Sequence, residues 1–191
     1  MSAYIPTNLI SITDGQIVLS PSLFELGVLP AVDVGKSVSR VGGKAQRGAF
    51  RAVAGNLKLA YAQFEELEAF SKFGARLDTA SQQAIAHGQR IRACLKQPES
   101  DPVSAVQQIT ILQALTAGLF YTVPLDRMAD AEAAVRAAAS HLADALVARL
   151  ALPDKPSDED GQAIIALARV ALAPFAGSDP VQAGSTPEAL A

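Results

Sequence analysis

The sequence holds no tryptophan, one cysteine and two histidines, and only 5% of its 191 residues are aromatic. Each shortage closes a possibility. A single thiol, Cys94, excludes an internal disulfide framework and a cysteine-based metal centre. Its setting, Ile91-Arg92-Ala93-Cys94-Leu95, is helical and apolar, which predicts a small buried hydrophobe rather than a reactive thiol. His87 and His141 lie far apart and lack carboxylates at ligand spacing, so no metal site is expected. The phosphate-cradling run Gly-x-x-x-x-Gly-Lys-Ser/Thr is missing; Lys36-Ser37 and Gly42-Gly43-Lys44 have its residues in the wrong order. No apolar run reaches the roughly 18 residues a membrane span needs, and the first residues lack the basic-then-apolar pattern of a cleavable leader. The expectation is a cytoplasmic protein with no direct membrane insertion. A net charge of −3 gives no electrostatic reason to expect nucleic acid.

What is present is aliphatic: 50% of the residues are hydrophobic, many of them alanine, which favours helix around a core of branched side chains. The first 48 residues read differently from the rest. Leu9-Ile10-Ser11-Ile12 and Gln16-Ile17-Val18-Leu19 predict short strands separated by an Asp14-Gly15 turn. Ser20-Pro21 predicts a capped helical turn that Gly27 ends. Gly35, Gly42 and Gly43 mark tight loops around Arg40. Two strands without a sheet make a poor independent unit, since an isolated hairpin is marginal in water.

From Ala49 the pattern is helical. Phe50, Val53, Leu57, Phe64, Leu67 and Phe70 fall on a 3.6-residue stripe until Gly74. Asp78-Thr79 opens a second helix toward Gln97, stopped by Pro98, and Val106 to Leu119 carries a third stripe. Ala129 to Leu152 predicts the longest helix, with Val135, Leu142, Leu146 and Leu150 on its apolar face and Glu132 and Arg136 as an i,i+4 pair. Pro153 to Gly161 reads as an acidic linker, Gln162 to Ala173 as a last helix, and Pro180 onward as a disordered tail. The fold class is mainly α. Glu65-Glu66-Leu67-Glu68 is a carboxylate cluster. Successive helical residues point in different directions, so it predicts a solvated face rather than acid–base machinery. Arg40 alone would be read as an ordinary surface arginine.

Three runs change that reading: Ile5-Pro6-Thr7-Asn8, Ser11-Ile12-Thr13-Asp14-Gly15-Gln16-Ile17 and Ser37-Val38-Ser39-Arg40-Val41-Gly42-Gly43. Together they resemble the alpha subunit of the F-type ATP synthase. The likeness continues through Arg51-Ala52-Val53-Ala54-Gly55, Phe73-Gly74, Leu77-Asp78 and Leu95-Lys96-Gln97-Pro98; from Ala129 onward only the helical character remains. The beta subunit of that enzyme differs in this region. The resemblance implies that residues 1–48 are the end of a P-loop α/β nucleotide-binding domain, truncated so that the phosphate-binding loop lies upstream of Tyr4. It further implies that 49–175 are the C-terminal helical bundle and 176–191 a tail. Arg40 would be an arginine finger reaching in trans to nucleotide phosphates on a neighbouring beta subunit, with Ser37 and Val38 placing its loop. Partners would be beta subunits and the central gamma rotor subunit, the latter facing Ser71 to Thr79. The ligand of the whole complex would be ATP or ADP with Mg, and of this chain alone none. The complex would be peripheral to the inner (plasma) membrane.

The resemblance also implies a second, non-exchanging nucleotide site, and there the chain departs from it. The family's arginine before the Pro-Ala-x-x-Val-Gly run is Leu29 here; of its two adenine-approaching glutamines, one is Gln97 and the other has become Glu99. Losing a cation and gaining an anion should weaken that site. The alternative from another class is a stand-alone helical interaction module with no nucleotide chemistry, which an upstream reading frame lacking a phosphate-binding loop would favour.

Overall fold

The computed structural model describes residues 4–71 and 77–177. Among them the architecture is mainly α with two very short strands. Helix α1 spans Tyr4–Ile12 and α2 Pro21–Glu25; strands β1 (Gly15–Gln16) and β2 (Val38–Ser39) pair antiparallel, Gly15 opposite Ser39 and Gln16 opposite Val38. A turn of helix, α3 (Gly42–Ala45), leads to α4 (Gly48–Ser71), the longest helix described. Then follow α5 (Thr79–Cys94), α6 (Ala105–Thr116), α7 (Met128–Ala138), α8 (Asp144–Leu150) and α9 (Asp158–Leu172).

Helices α4 to α9 form the bundle: α4 packs on α5 and α6, α9 on α6 and α7. Its main core joins Phe64, Ile91, Leu115, Phe120, Val123 and Val135; a second gathers Ala49, Ile109, Leu142, Leu146, Leu150 and Ile164. Tyr61, absent from the predicted stripe, is buried beside Phe64, whereas Phe70, on the stripe, is exposed. Gly88 lets α5 approach α4 closely, because a Cβ there would run into the Phe64 ring. Cys94 packs on the main core, where burial pushes its thiol up.

Several local expectations hold. Ser20 accepts from the Leu23 N–H at the start of α2, and Gly27 ends that turn with φ +66°, the left-handed region that favours glycine. Asp78 caps α5.

Four do not hold. Leu9–Ile12 is the last turn of α1, not a strand. Isolated from any sheet, the segment satisfies its backbone within a helix, with the Ser11 and Thr13 hydroxyls donating to the carbonyls four residues back. Of the expected strand Gln16–Leu19 only Gln16 lies in β1, together with Gly15 of the expected turn, and Leu19 makes a single bridge to Val32. The expected Ala129–Leu152 helix is broken. α7 passes into a 3₁₀ turn at Ala139–His141, Leu142 and Ala143 are extended, and Asp144 opens α8. The break turns Val135 toward the main core and Leu142, Leu146 and Leu150 toward the second, so packing overrides a uniform alanine-rich propensity. The acidic stretch before Gln162 is not all linker: Ser157 and Asp160 form a capping box and Asp158-Glu159-Asp160 is the first turn of α9, where carboxylates oppose the helix dipole. Gly74, most of the Ser71-to-Thr79 segment and the tail from Pro180 lie outside the described residues.

Candidate functional site

Arg40 directly follows β2, and its position is built from backbone upward. Asp33 opens a tight turn. Its carboxylate accepts from the Lys36 N–H at 2.9 Å and from the Lys36 ammonium at 2.6 Å, and its carbonyl accepts from the Ser37 N–H at 3.0 Å. Burial pushes the Asp33 carboxyl up, but the two Lys36 donors outweigh it and hold the group below the usual carboxylate range. Ser37 locks the turn: its hydroxyl donates to the Asp33 carbonyl at 2.6 Å and accepts from the Val18 N–H at 3.0 Å. The chain then runs through β2 to Arg40, whose N–H donates to the Asp14 carbonyl at 2.9 Å. Ser39 accepts from the Gly42 N–H at 2.9 Å, which turns the chain into α3.

The Arg40 side chain is exposed, and its Nη2 donates to the Ile10 carbonyl at 3.0 Å, at the C-terminal end of α1 where helix carbonyls lack intrahelical donors. The structure thus brings Ser37 and Val38 into a short hydrogen-bonded lead to Arg40, with Ser37 as the locking group and Val38 as an exposed strand residue. A permanently charged, forked donor on such a lead can meet phosphate oxygens supplied from outside the chain.

Leu29, Gln97 and Glu99, distant in sequence, meet. With Pro30 and Lys96 they line a groove of about 590 Å³. The Gln97 N–H donates to the Leu29 carbonyl at 2.8 Å and its side-chain amide to the Asp101 carbonyl at 3.2 Å. The groove places the Glu99 anion and the apolar Leu29 beside the one retained glutamine.

The carboxylate cluster is not a uniform solvated face. Glu68 is held by Arg92 through two bonds of 2.9 Å, and that guanidinium lies 4.5 Å from the Phe64 ring centroid. Burial, then the neighbouring Asp33 charge, pushes the half-buried Glu65 carboxyl up; only Glu66 is exposed. The i,i+3 spacing of Glu65 and Glu68 on one flank of α4 was the available signal. Nor does Arg136 serve Glu132. It grips Asp101 through bonds of 2.6 and 2.8 Å, a two-pronged geometry that an i,i+4 neighbour does not match here. The Glu132 carboxyl, half-buried, is pushed up to about 7 by burial, with Arg136 acting in the opposite direction. His87 stacks on Tyr121 at 5.0 Å, and the described residues hold no group of three His, Cys, Asp or Glu that could bind a metal. No described helix is long and apolar enough to cross a membrane.

Comparison with known proteins gives two family matches. Residues 46–170 match the family model of the ATP synthase alpha/beta chain, C terminal domain, and residues 1–39 that of the ATP synthase alpha/beta family, nucleotide-binding domain. The chain is 71% identical over 175 residues to ATP synthase subunit alpha 2 of Albidiferax ferrireducens, covering 92% of this chain and 33% of that protein. It is 69% identical over 175 residues to subunit alpha 1 of Shewanella frigidimarina (92% and 34%) and 59% identical over 172 residues to subunit alpha 1 of Chlorobium luteolum (90% and 34%). The chain therefore spans about a third of the length of the curated relatives it matches. With a helical bundle over the matched C-terminal residues and a short lead to Arg40 at the end of the nucleotide-binding match, the chain belongs to the ATP synthase alpha/beta family.

Proposed function

We propose that this chain is the C-terminal part of an alpha subunit of an F-type ATP synthase, and that it supplies Arg40 in trans to the nucleotide held by a neighbouring beta subunit. The observation that carries the reading is an exposed guanidinium at the end of a hydrogen-bonded lead, in a chain whose relatives are alpha subunits. Negative charge shifts over the γ-phosphoryl oxygens as the bond to the leaving oxygen breaks or forms. A preorganised guanidinium stabilises that charge without moving a proton. The beta subunit supplies the phosphate-binding loop and the Mg-bound nucleotide; Ser37 and Val38 set the approach of Arg40. Residues 1–48 act as the end of the nucleotide-binding domain and 49–175 as the helical domain, which packs on beta subunits, faces the gamma rotor around Ser71 to Thr79 and transmits rotation without chemistry. The complex couples ATP synthesis or hydrolysis to ion transport and sits peripherally on the membrane. At the second interface, Gln97 approaches the adenine while Leu29 and Glu99 weaken retention of the nucleotide.

The reading is tested in the assembled complex. Arg40→Ala should lower multisite turnover about 10³-fold or more, roughly 4 kcal/mol, while affinity at a single catalytic site falls far less. Arg40→Lys should stay well below wild type, because an ammonium lacks the planar fork. A complex that forms normally and turns over within a few-fold of wild type would overturn the proposal.

A further inference from the structure

The lead to Arg40 does not hang from the strands alone. Its turn, Asp33 to Ser37, lies against the side of α4. Val34 packs on the main core. Lys58, about two turns before Glu65 on α4, donates its ammonium to the Ser37 carbonyl at 3.2 Å. Glu65 closes the other side: a Cβ built on Gly35 would sit 3.5 Å from its Oε2, so the α4 carboxylate and the turn backbone are in near contact. Tyr61 and Phe64, between these two points, and Leu57, just before Lys58, are buried, so the stretch of α4 that holds the turn is anchored in the bundle core.

We infer that Lys58 is a positioning residue for Arg40, tying the carbonyl of Ser37 to α4 so that the approach of the guanidinium follows the bundle. This rests on the reading of Arg40 given above. Three features of the geometry support it. The bond is charge-assisted and its acceptor is main chain, so it constrains the path of the loop rather than one side chain. The acceptor lies three residues before Arg40, and the intervening Val38 and Ser39 are paired in β2, which transmits a displacement instead of absorbing it. Lys58 is exposed and takes no part in either bundle core, so its loss removes the tie without opening a cavity. Since displacement of a catalytic group by about 1 Å costs up to about 10²-fold, a weakened tie acts through rate.

The test uses the assembled complex with four variants: Lys58→Met, Lys58→Arg, Arg40→Ala and the Lys58→Met, Arg40→Ala double variant. Lys58→Met should lower multisite kcat by roughly 3- to 10-fold, with single-site nucleotide affinity and the thermal midpoint of the complex unchanged. Lys58→Arg, which keeps a charged donor, should regain most of the rate. In the Arg40→Ala background Lys58→Met should add nothing, since a positioning residue has no effect once the group it positions is gone. Wild-type kcat in Lys58→Met, a full additive loss in the double variant, or no recovery in Lys58→Arg would overturn the inference. If Arg40→Ala is slow but Lys58→Met is not, this inference fails alone; if Arg40→Ala is itself near wild type, the parent reading fails.

Discussion

Residues 4–47 and the bundle after them use the same aliphatic alphabet and bury it very differently. In the bundle, Phe64, Val123, Ala131, Val135 and Ala168 are 0% exposed. In the first region Ile12, Ile17, Leu19 and Phe24 are between 66% and 78% exposed, and among the described residues the buried apolar side chains there are the small cluster of Leu23, Val28 and Ala31. Composition therefore does not set burial; available partners do. The bundle closes on itself through two cores, while the first region carries large apolar side chains that the described residues leave exposed. On the proposed function the two regions have separate jobs: the first presents Arg40 and meets neighbours, and the second holds the platform, α4, on which the Arg40 lead rests.

The comparison is broken most readily by amide exchange on the isolated chain. Ile91 and Ile109, fully buried in the two cores, should exchange at least about 10³-fold more slowly than Ile10 and Ile17, because opening the first region requires little disruption of packing. Similar protection at all four would show the regions to be one cooperative unit. Next in size are two phenylalanine truncations. Phe64→Ala should cost about 3–5 kcal/mol by denaturant unfolding, whereas Phe24→Ala should stay within about 0.5 kcal/mol. A comparable loss from both would erase the distinction.

A smaller effect separates the regions by pH. The Glu132 carboxyl is pushed up to about 7 in the fold against an ordinary value near 4.5. Between those values the folded chain holds a proton that the unfolded chain has released, so this group lowers stability as pH rises from about 4.5 through 7. Glu132→Gln should remove that decline and stabilise the bundle at pH 8 by about 1 kcal/mol, allowing for solvent screening of a half-exposed group. Denaturant midpoints at pH 5 and 8 check it; an unchanged pH slope would contradict it.

How much of this was legible in the sequence differs along the chain. The helices α4, α5 and α6 were, because 3.6-residue apolar stripes and side-chain caps such as Asp78 report directly on them. The break between α7 and α8 was not: an alanine-rich run has the same local preference throughout, and only the need to serve two cores interrupts it. The start of α9 was visible in Ser157 and Asp160 but was masked by reading acidic residues as solvent-loving linker. The strand expectation at Leu9–Ile12 came from β-branched composition, which presupposes a sheet to join. At the candidate site, Arg40, Ser37 and Val38 were marked by resemblance alone, and Leu29, Gln97 and Glu99 likewise; the structure adds that the latter three share a groove. Lys58 and Asp33 carried no sequence signal, since a lysine bonded to a distant carbonyl looks like any exposed helix lysine.

The central claim is that a guanidinium, and not merely an intact loop, is required at position 40. Its most direct measurement is chemical rescue: multisite turnover of the assembled Arg40→Ala complex titrated with millimolar guanidinium ion. The account predicts turnover about 10³-fold or more below wild type without the ion, and a saturable rise with it that wild type and Lys58→Met do not show. An Arg40→Ala complex that already turns over within a few-fold of wild type, or one whose deficit guanidinium leaves untouched, would contradict it.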